Sequence, residues 1–395
     1  MKRVAILLVL AVIALGIDAK PQKGKQTEGF VFTTIKANPI TSIKNQNRSG
    51  TCWSFSSLGF FESELLRLGK GDYDLSEMFL IHKTMEDRAT ASIRMHGDVS
   101  FSGGGSFYDA VYCLKNYGMV PESAMPKPGS LYGDSLINHG ELDKVAGEYV
   151  NAIAKSDMKK LSPIWKNGLI SIYDNYIGKC PEKFMYKGTE YTPKSFEESL
   201  GLNLDDYVSL TSFTHHPFYT KFIIEVQDNW RWGESYNLPI DELMEVFDNA
   251  VMNGYTFAWG ADVSEKGFSR NGVGVCPDMT VKTLGSDMAR WTKSKEEDKR
   301  EEMTSKPLPE INVTQEMRQT AYDNWETTDD HGMIIYGIAK DQNGKEYYMV
   351  KNSWGTDNPY KGTWYVSKTF AKYKTMNILI NKKAIPASIA KKLGL

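Results

Sequence analysis

Apolar residues recur at helical spacing near the start of the chain. Phe55, Leu58, Phe61, Leu65 and Leu68 fall on one face. The spacing predicts a helix over 51–68, with Thr51 as its N-cap and Gly69 as its stop. A second helix is predicted after Leu75-Ser76-Glu77, capped by Ser76, and a third over 107–117, stopped by Gly118. The glycine-rich stretch 101–106 between them reads as a loop. Over 141–198 the pattern is helical and charged, broken near Pro163 and Pro181, as in an inserted helical subdomain. Strands are predicted at 221–226 and 255–259, with a helix over 241–252 between them. The last hundred residues turn to β-rich runs at 333–338, 346–352, 363–366 and 376–380. Helices first and strands last imply two lobes and an α+β fold.

A chain of 395 residues can bury the core that two packed lobes need. Net charge is −2, so bulk charge gives no footprint for nucleic acid, and none is expected as a partner. Met1-Lys2-Arg3 followed by the apolar run 4–16 has the pattern of a secretory signal, with cleavage after Gly16 or Ala19. That predicts an exported protein, periplasmic or secreted, with no stable membrane association after cleavage. Residues 20–37 are polar and rich in Gly and Lys, and read as a flexible lead-in. The charge run 293–303 reads as solvated. Of four cysteines, none has CxxC or His/Cys metal spacing, so no metal is expected. If Cys52 stays free, Cys113, Cys180 and Cys276 allow at most one disulfide; three buried thiols is the plainer reading.

Cys52 falls in the first turn of the first helix, where unpaired N–H groups and the helix dipole favour a thiolate. Gln46, six residues earlier, can offer its amide to a developing oxyanion beside the Cys52 N–H. His331 opens one predicted strand and Asn352 closes the next. A four-residue loop at 340–343 would set the two directly opposite, with Gly344 relieving strain, so that Asn352 orients the imidazole. Trp354 could cover that bond. Asp329 and Asp330, just before the histidine, would favour an imidazolium. Gly103 and Gly104 allow either a plain turn or close approach by an extended peptide backbone. His82, His96, His139, His215 and His216 have no motif context and read as structural or surface residues.

The unit Gln46-x-x-x-x-x-Cys52-Trp53, the His331-Gly332 site and Asn352-Ser353-Trp354-Gly355 resemble the papain-like cysteine peptidases. Ser49-Gly50-Thr51-Cys52-Trp53, Leu75-Ser76-Glu77, Gly103-Gly104, 116–121, 259–263 and 382–386 resemble the bleomycin hydrolase / aminopeptidase C group within them. The resemblance implies a papain-like two-lobed fold: a helical lobe with the nucleophile over 41–140, a mainly helical insertion over 141–220, and a β-rich lobe with His and Asn over 221–395. Residues 1–19 would be the signal and 20–40 the flexible segment. It implies Cys52 as nucleophile, His331 as base, Asn352 as orienter, Gln46 at the oxyanion, and Gly103 and Gly104 along the substrate. It further implies peptide substrates, no cofactor, and assembly as a homo-hexamer. Two departures stand out. The group is typically cytosolic, and its longer C-terminal arm, which reads the substrate's free amine, is short here after Pro386. An aminopeptidase is therefore expected, with an open-cleft endopeptidase or an inactive peptide-binding scaffold as alternatives.

Overall fold

The computed structural model describes residues 29–127, 136–278 and 303–395. The expected signal segment and most of the 293–303 charge run lie outside them. The lead-in expected to be flexible through residue 40 needs correction. Thr33–Ala37 forms strand β1, antiparallel to residues 337–340. Just before it, Phe32 stacks on Tyr365 at 3.8 Å between ring centroids. Just after it, the Asn38 amide donates to Val251 O and Tyr255 O. Long-range partners thus order a segment whose composition suggests a tail.

Helix α1 (Cys52–Arg67) is buried along nearly all of its length, including Phe60 on the side opposite Leu58. A helix apolar on so many sides belongs at the centre of a fold, and α1 lies between the helical lobe and the sheet. Helix α2 (Glu77–Arg94) starts where the Ser76 hydroxyl accepts the Phe79 N–H. Helix α3 (Phe107–Tyr117) opens with Asp109 accepting from the Ser106 N–H at 2.8 Å. It ends at Gly118, whose φ of +83° suits glycine; a Cβ there would stand 2.3 Å from the Pro193 carbonyl oxygen. Next come α4 (Gly140–Ala154), α5 (Ile164–Ile177), the hairpin β2 (Phe184–Tyr186) and β3 (Thr189–Tyr191), and α6 (Pro193–Leu200). Leu142, Val150, Leu169, Tyr173 and Phe196 join the same apolar cluster as α1–α3, so this stretch thickens the helical lobe instead of forming a separate core.

The second lobe is one long sheet. Its strands are β4 (Tyr207–Thr211), β5 (Lys221–Ile223), β6 (Glu234–Asn237), β7 (Phe257–Ala261), β8 (Phe268–Ser269), β9 (Val273–Gly274), β10 (His331–Lys340), β11 (Glu346–Lys351), β12 (Thr363–Ser367) and β13 (Thr375–Asn381). They lie in the order β5-β6-β4-β13-β7-β10-β11-β12-β9-β8, with β1 against the far end of β10. Helices α7 (Ile240–Met252), α8 (Gln315–Asp323), α9 (Lys368–Lys374) and α10 (Ala387–Leu393) complete the chain. Every residue of β10 except Lys340 is buried, and α1 and α7 both pack against it.

The β10–β11 turn differs from the expected four-residue loop. Lys340 pairs with Glu346, leaving 341–345 as the turn, and the register shifts between Ile335 and Gly337. The Asp341 carboxylate organises the turn by accepting the N–H groups of Asn343 and Lys345. Gly344 has a φ of +82°. The last ladder pair is Ile334 with Lys351; three residues further, the position opposite His331 is 354. Asn352 therefore reaches His331 diagonally, not directly across.

Candidate active site

A cleft of about 820 Å³ runs between the lobes, with Gln46, Cys52, Trp53, Gly104, His331 and Trp354 in its wall. Lys44, bonded to the buried carboxylates of Glu62 (3.1 Å) and Glu77 (2.6 Å), anchors the segment that leads into Gln46 and Cys52. Thr51 does not cap α1 with its side chain, contrary to expectation; its hydroxyl bonds that of Ser49 at 2.7 Å. Backbone N–H groups of Gly332 and Trp53 face the Cys52 sulfur and favour a thiolate. Desolvation outweighs them and, with the negative charges of Asp329 and Asp228, pushes the thiol up to about 12. The helix terminus alone therefore does not ionise Cys52.

His331 begins β10 and pairs with Ala261 of β7. Gly332 lets β10 pass close to α1, since a Cβ there would meet Ser56 Oγ at 2.5 Å. His331 Nε2 lies 2.8 Å from Asn352 Oδ1. The same oxygen accepts the Ser353 N–H at 2.7 Å. That second donor identifies the atom as the amide oxygen, so the neutral ring carries its proton on Nε2 and leaves a lone pair on Nδ1. Asn352 Nδ2 is buried with no hydrogen-bond partner among the described residues, so the oxygen alone sets the orientation. The Trp354 ring lies 4.7 Å from the imidazole, tilted by 32°, and shields the bond. Burial pushes the imidazole down to about 4 despite the Asn352 bond, which raises it. The expected help from the acidic pair is absent. Asp330 is turned to the N–H groups of Val263 and Ser264, and Asp329 acts on the thiol instead. Burial thus disfavours the charged form of both Cys52 and His331.

Gln46 is fixed by the opposite lobe. Ser353 Oγ donates to Gln46 Oε1 at 2.5 Å, and Gln46 N donates to Ser353 O at 2.8 Å. Gln46 Nε2 gives one proton to Ser49 O, leaving its second for a ligand. Gly104 lines the cleft, while the Gly103 carbonyl accepts from Trp53 Nε1 at 3.0 Å and the residue lies against Asp143. All four cysteines are free. Sequence reasoning missed Arg88, Asp228 and Trp232. Trp232 is an exposed cleft residue held at a φ of +58°. It also set aside His215 and His216, which converge on Glu225 at 3.1 and 3.2 Å. The pair of histidines with a glutamate nine residues on was the available signal.

A helical lobe and a β-rich lobe, with the thiol on one and the imidazole on the other, define a papain-like fold. The chain belongs to the Peptidase C1-like family, whose profile matches residues 13–394. It is a cysteine peptidase by that membership. Among its relatives are Aminopeptidase G of Lactobacillus delbrueckii subsp. lactis, 23% identical over 87% of this chain and 82% of that one, and Aminopeptidase C of Listeria monocytogenes serovar 1/2a, 23% identical over 86% and 80%. The crystal structure of PepW from Lactobacillus rhamnosis HN001 superposes with a TM-score of 0.67 at 20% identity, over 92% of this chain and 84% of that one, and shares the fold. These relatives correct the expected export, because aminopeptidase C homologues are intracellular enzymes. The apolar run on which that expectation rested lies outside the described residues. No described helix is long and apolar enough to cross a membrane.

Proposed function

We propose that the chain is an aminopeptidase that cleaves small peptides through a Cys52 acyl-enzyme. The observation that carries this reading is the continuous bonding from His331 through Asn352 and Ser353 to Gln46, which ties together two residues of the wall that holds Cys52. His331 Nδ1 takes the thiol proton as sulfur attacks the scissile carbonyl. The free Gln46 N–H and the Cys52 N–H stabilise the oxyanion. His331 then protonates the leaving amine, and the C–N bond breaks. Water, deprotonated by the same nitrogen, releases the acid and restores the thiol. Gly104 borders the bound chain. The hexamer implied by the family resemblance goes with this reading and is checked by sedimentation.

The test compares wild type with Cys52→Ala on a fluorogenic peptide with a free amine, in reductant. Turnover is expected to fall by at least about 10³-fold while the melting temperature holds. Comparable turnover in the variant would remove Cys52 from the mechanism.

A further inference from the structure

We propose that Asp228 anchors the protonated α-amine of the substrate, making the cleft a pocket for a free N-terminus. The inference rests on the peptidase reading above and names the group that would set its specificity. On that reading an acyl donor to Cys52 must lie along the wall that Asp228 shares.

Asp228 sits in the loop between β5 and β6 and lines the same cleft as Cys52. It lies directly over the glycine loop, where a Cβ on residue 104 would stand 2.0 Å from Asp228 Oδ2. The backbone approach that glycine permits at 104 is thus taken by this carboxylate. An extended peptide running along Gly104 meets a negative wall where further residues would have to pass.

The carboxylate is held in place. Arg88 is fully buried and reaches across from α2. Its Nη1 donates to Gly104 O at 2.6 Å, and Nη1 and Nη2 both donate to Asp228 Oδ1 at 3.2 Å. Asn229 stiffens the loop from within: its Nδ2 donates to Ile224 O and Gly233 O, and its Oδ1 accepts the Gly233 N–H. Among the described residues Arg88 is the only hydrogen-bond partner of the Asp228 side chain, and it uses Oδ1, leaving Oδ2 for a ligand.

Charge balance points the same way. Asp329 also lines the cleft and has no hydrogen-bond partner among the described residues. Desolvation, then the charges of Asp228 and Asp330, push its carboxyl up to about 7. Arg88 pairs with Asp228, while no ion pair reaches Asp329 among the described residues, so the arrangement is one cation short. An ammonium group supplies that cation with three donors. An acylated N-terminus brings neither the charge nor the compactness.

The experiment uses the full chain with leucyl-aminomethylcoumarin and its N-acetyl form, on wild type and Asp228→Asn. Wild type is expected to cleave the free-amine substrate and spare the acetylated one. In Asp228→Asn, kcat/KM for the free amine should fall about hundredfold, mainly through KM. Equal cleavage of both substrates by wild type, or free-amine cleavage by Asp228→Asn within about twofold of wild type, overturns the anchor and leaves the peptidase reading intact. No turnover of either by wild type counts against the peptidase reading. Calorimetry on wild type then decides the anchor without activity or a folded variant: leucinamide should bind and N-acetyl-leucinamide should not, and equal binding overturns it.

Discussion

Two buried histidines in this molecule meet opposite fates. His82, inside the helical lobe, lies 3.0 Å from Glu86 and 2.9 Å from Asp174. Burial works against its charge, but bonds from Cys180, Glu86 and Asp174 overcome it and raise the imidazole to about 10. His331, at the cleft, is equally enclosed, but its partner is the neutral amide of Asn352, and burial wins, holding it near 4. Carboxylate partners make a histidine a structural cation. An amide partner aims the ring without charging it, and so keeps a base available.

Exchange of roles should fail most severely at the cleft. His331→Ala is expected to lower kcat by about 10³-fold or more, the range of a lost general base, whereas His82→Gln should leave turnover within about threefold and act on stability. Steady-state kinetics on both variants checks the contrast. Asn352→Asp would give His331 the partner type that His82 has. The acid limb of its kcat/KM profile should move up by at least about one pH unit; an unmoved limb would break the comparison.

The two residues should also limit stability on opposite sides of neutrality. His331 is held below its unfolded value, so the unfolded chain takes up the proton first as pH falls. Stability is lost from about 6.5 down to the folded value of about 4. The full effect is about 3 kcal/mol at 1.36 kcal/mol per unit. His139, pushed down to about 4 by burial, adds in the same direction. His82 is held above its unfolded value, so its contribution is complete below about 6.5 and lost as pH rises toward 10. Calorimetric melting against pH should show His331→Gln flattening the acid side and His82→Gln the alkaline side. The smallest effect is expected from Ser353→Ala, which frees Gln46 Oε1. kcat should drop about tenfold with KM little changed, less than removal of an oxyanion donor costs.

The same contrast marks what the sequence made legible. Features set by neighbouring residues read well: the Ser76 cap, the 107–117 helix with its glycine stop, and a cysteine opening a buried helix. His82 with Glu86 one helical turn on was also readable as an ion pair. The diagonal meeting of His331 and Asn352 was not, because it depends on a register shift near Gly337. A Cβ at Gly337 would come 2.7 Å from Lys36 O, so the shift is tied to β1 crossing there, three hundred residues earlier in the chain. Arg88 and Asp228 lie 140 positions apart, and only the fold brings them together over Gly104. One influence on Cys52 lay out of reach for a related reason. A helix terminus is visible in sequence, while desolvation by the facing lobe is not.

Activation of Cys52 by His331 across the cleft is open to direct test. A peptidyl epoxide with a free amine, followed by peptide mapping in a mass spectrometer, tests it most directly. One adduct is expected, on Cys52, at neutral pH, and its loss in His331→Ala although Cys52 is still present. Labelling of His331→Ala at the wild-type rate, or an adduct shared with the half-buried Cys180, would contradict it.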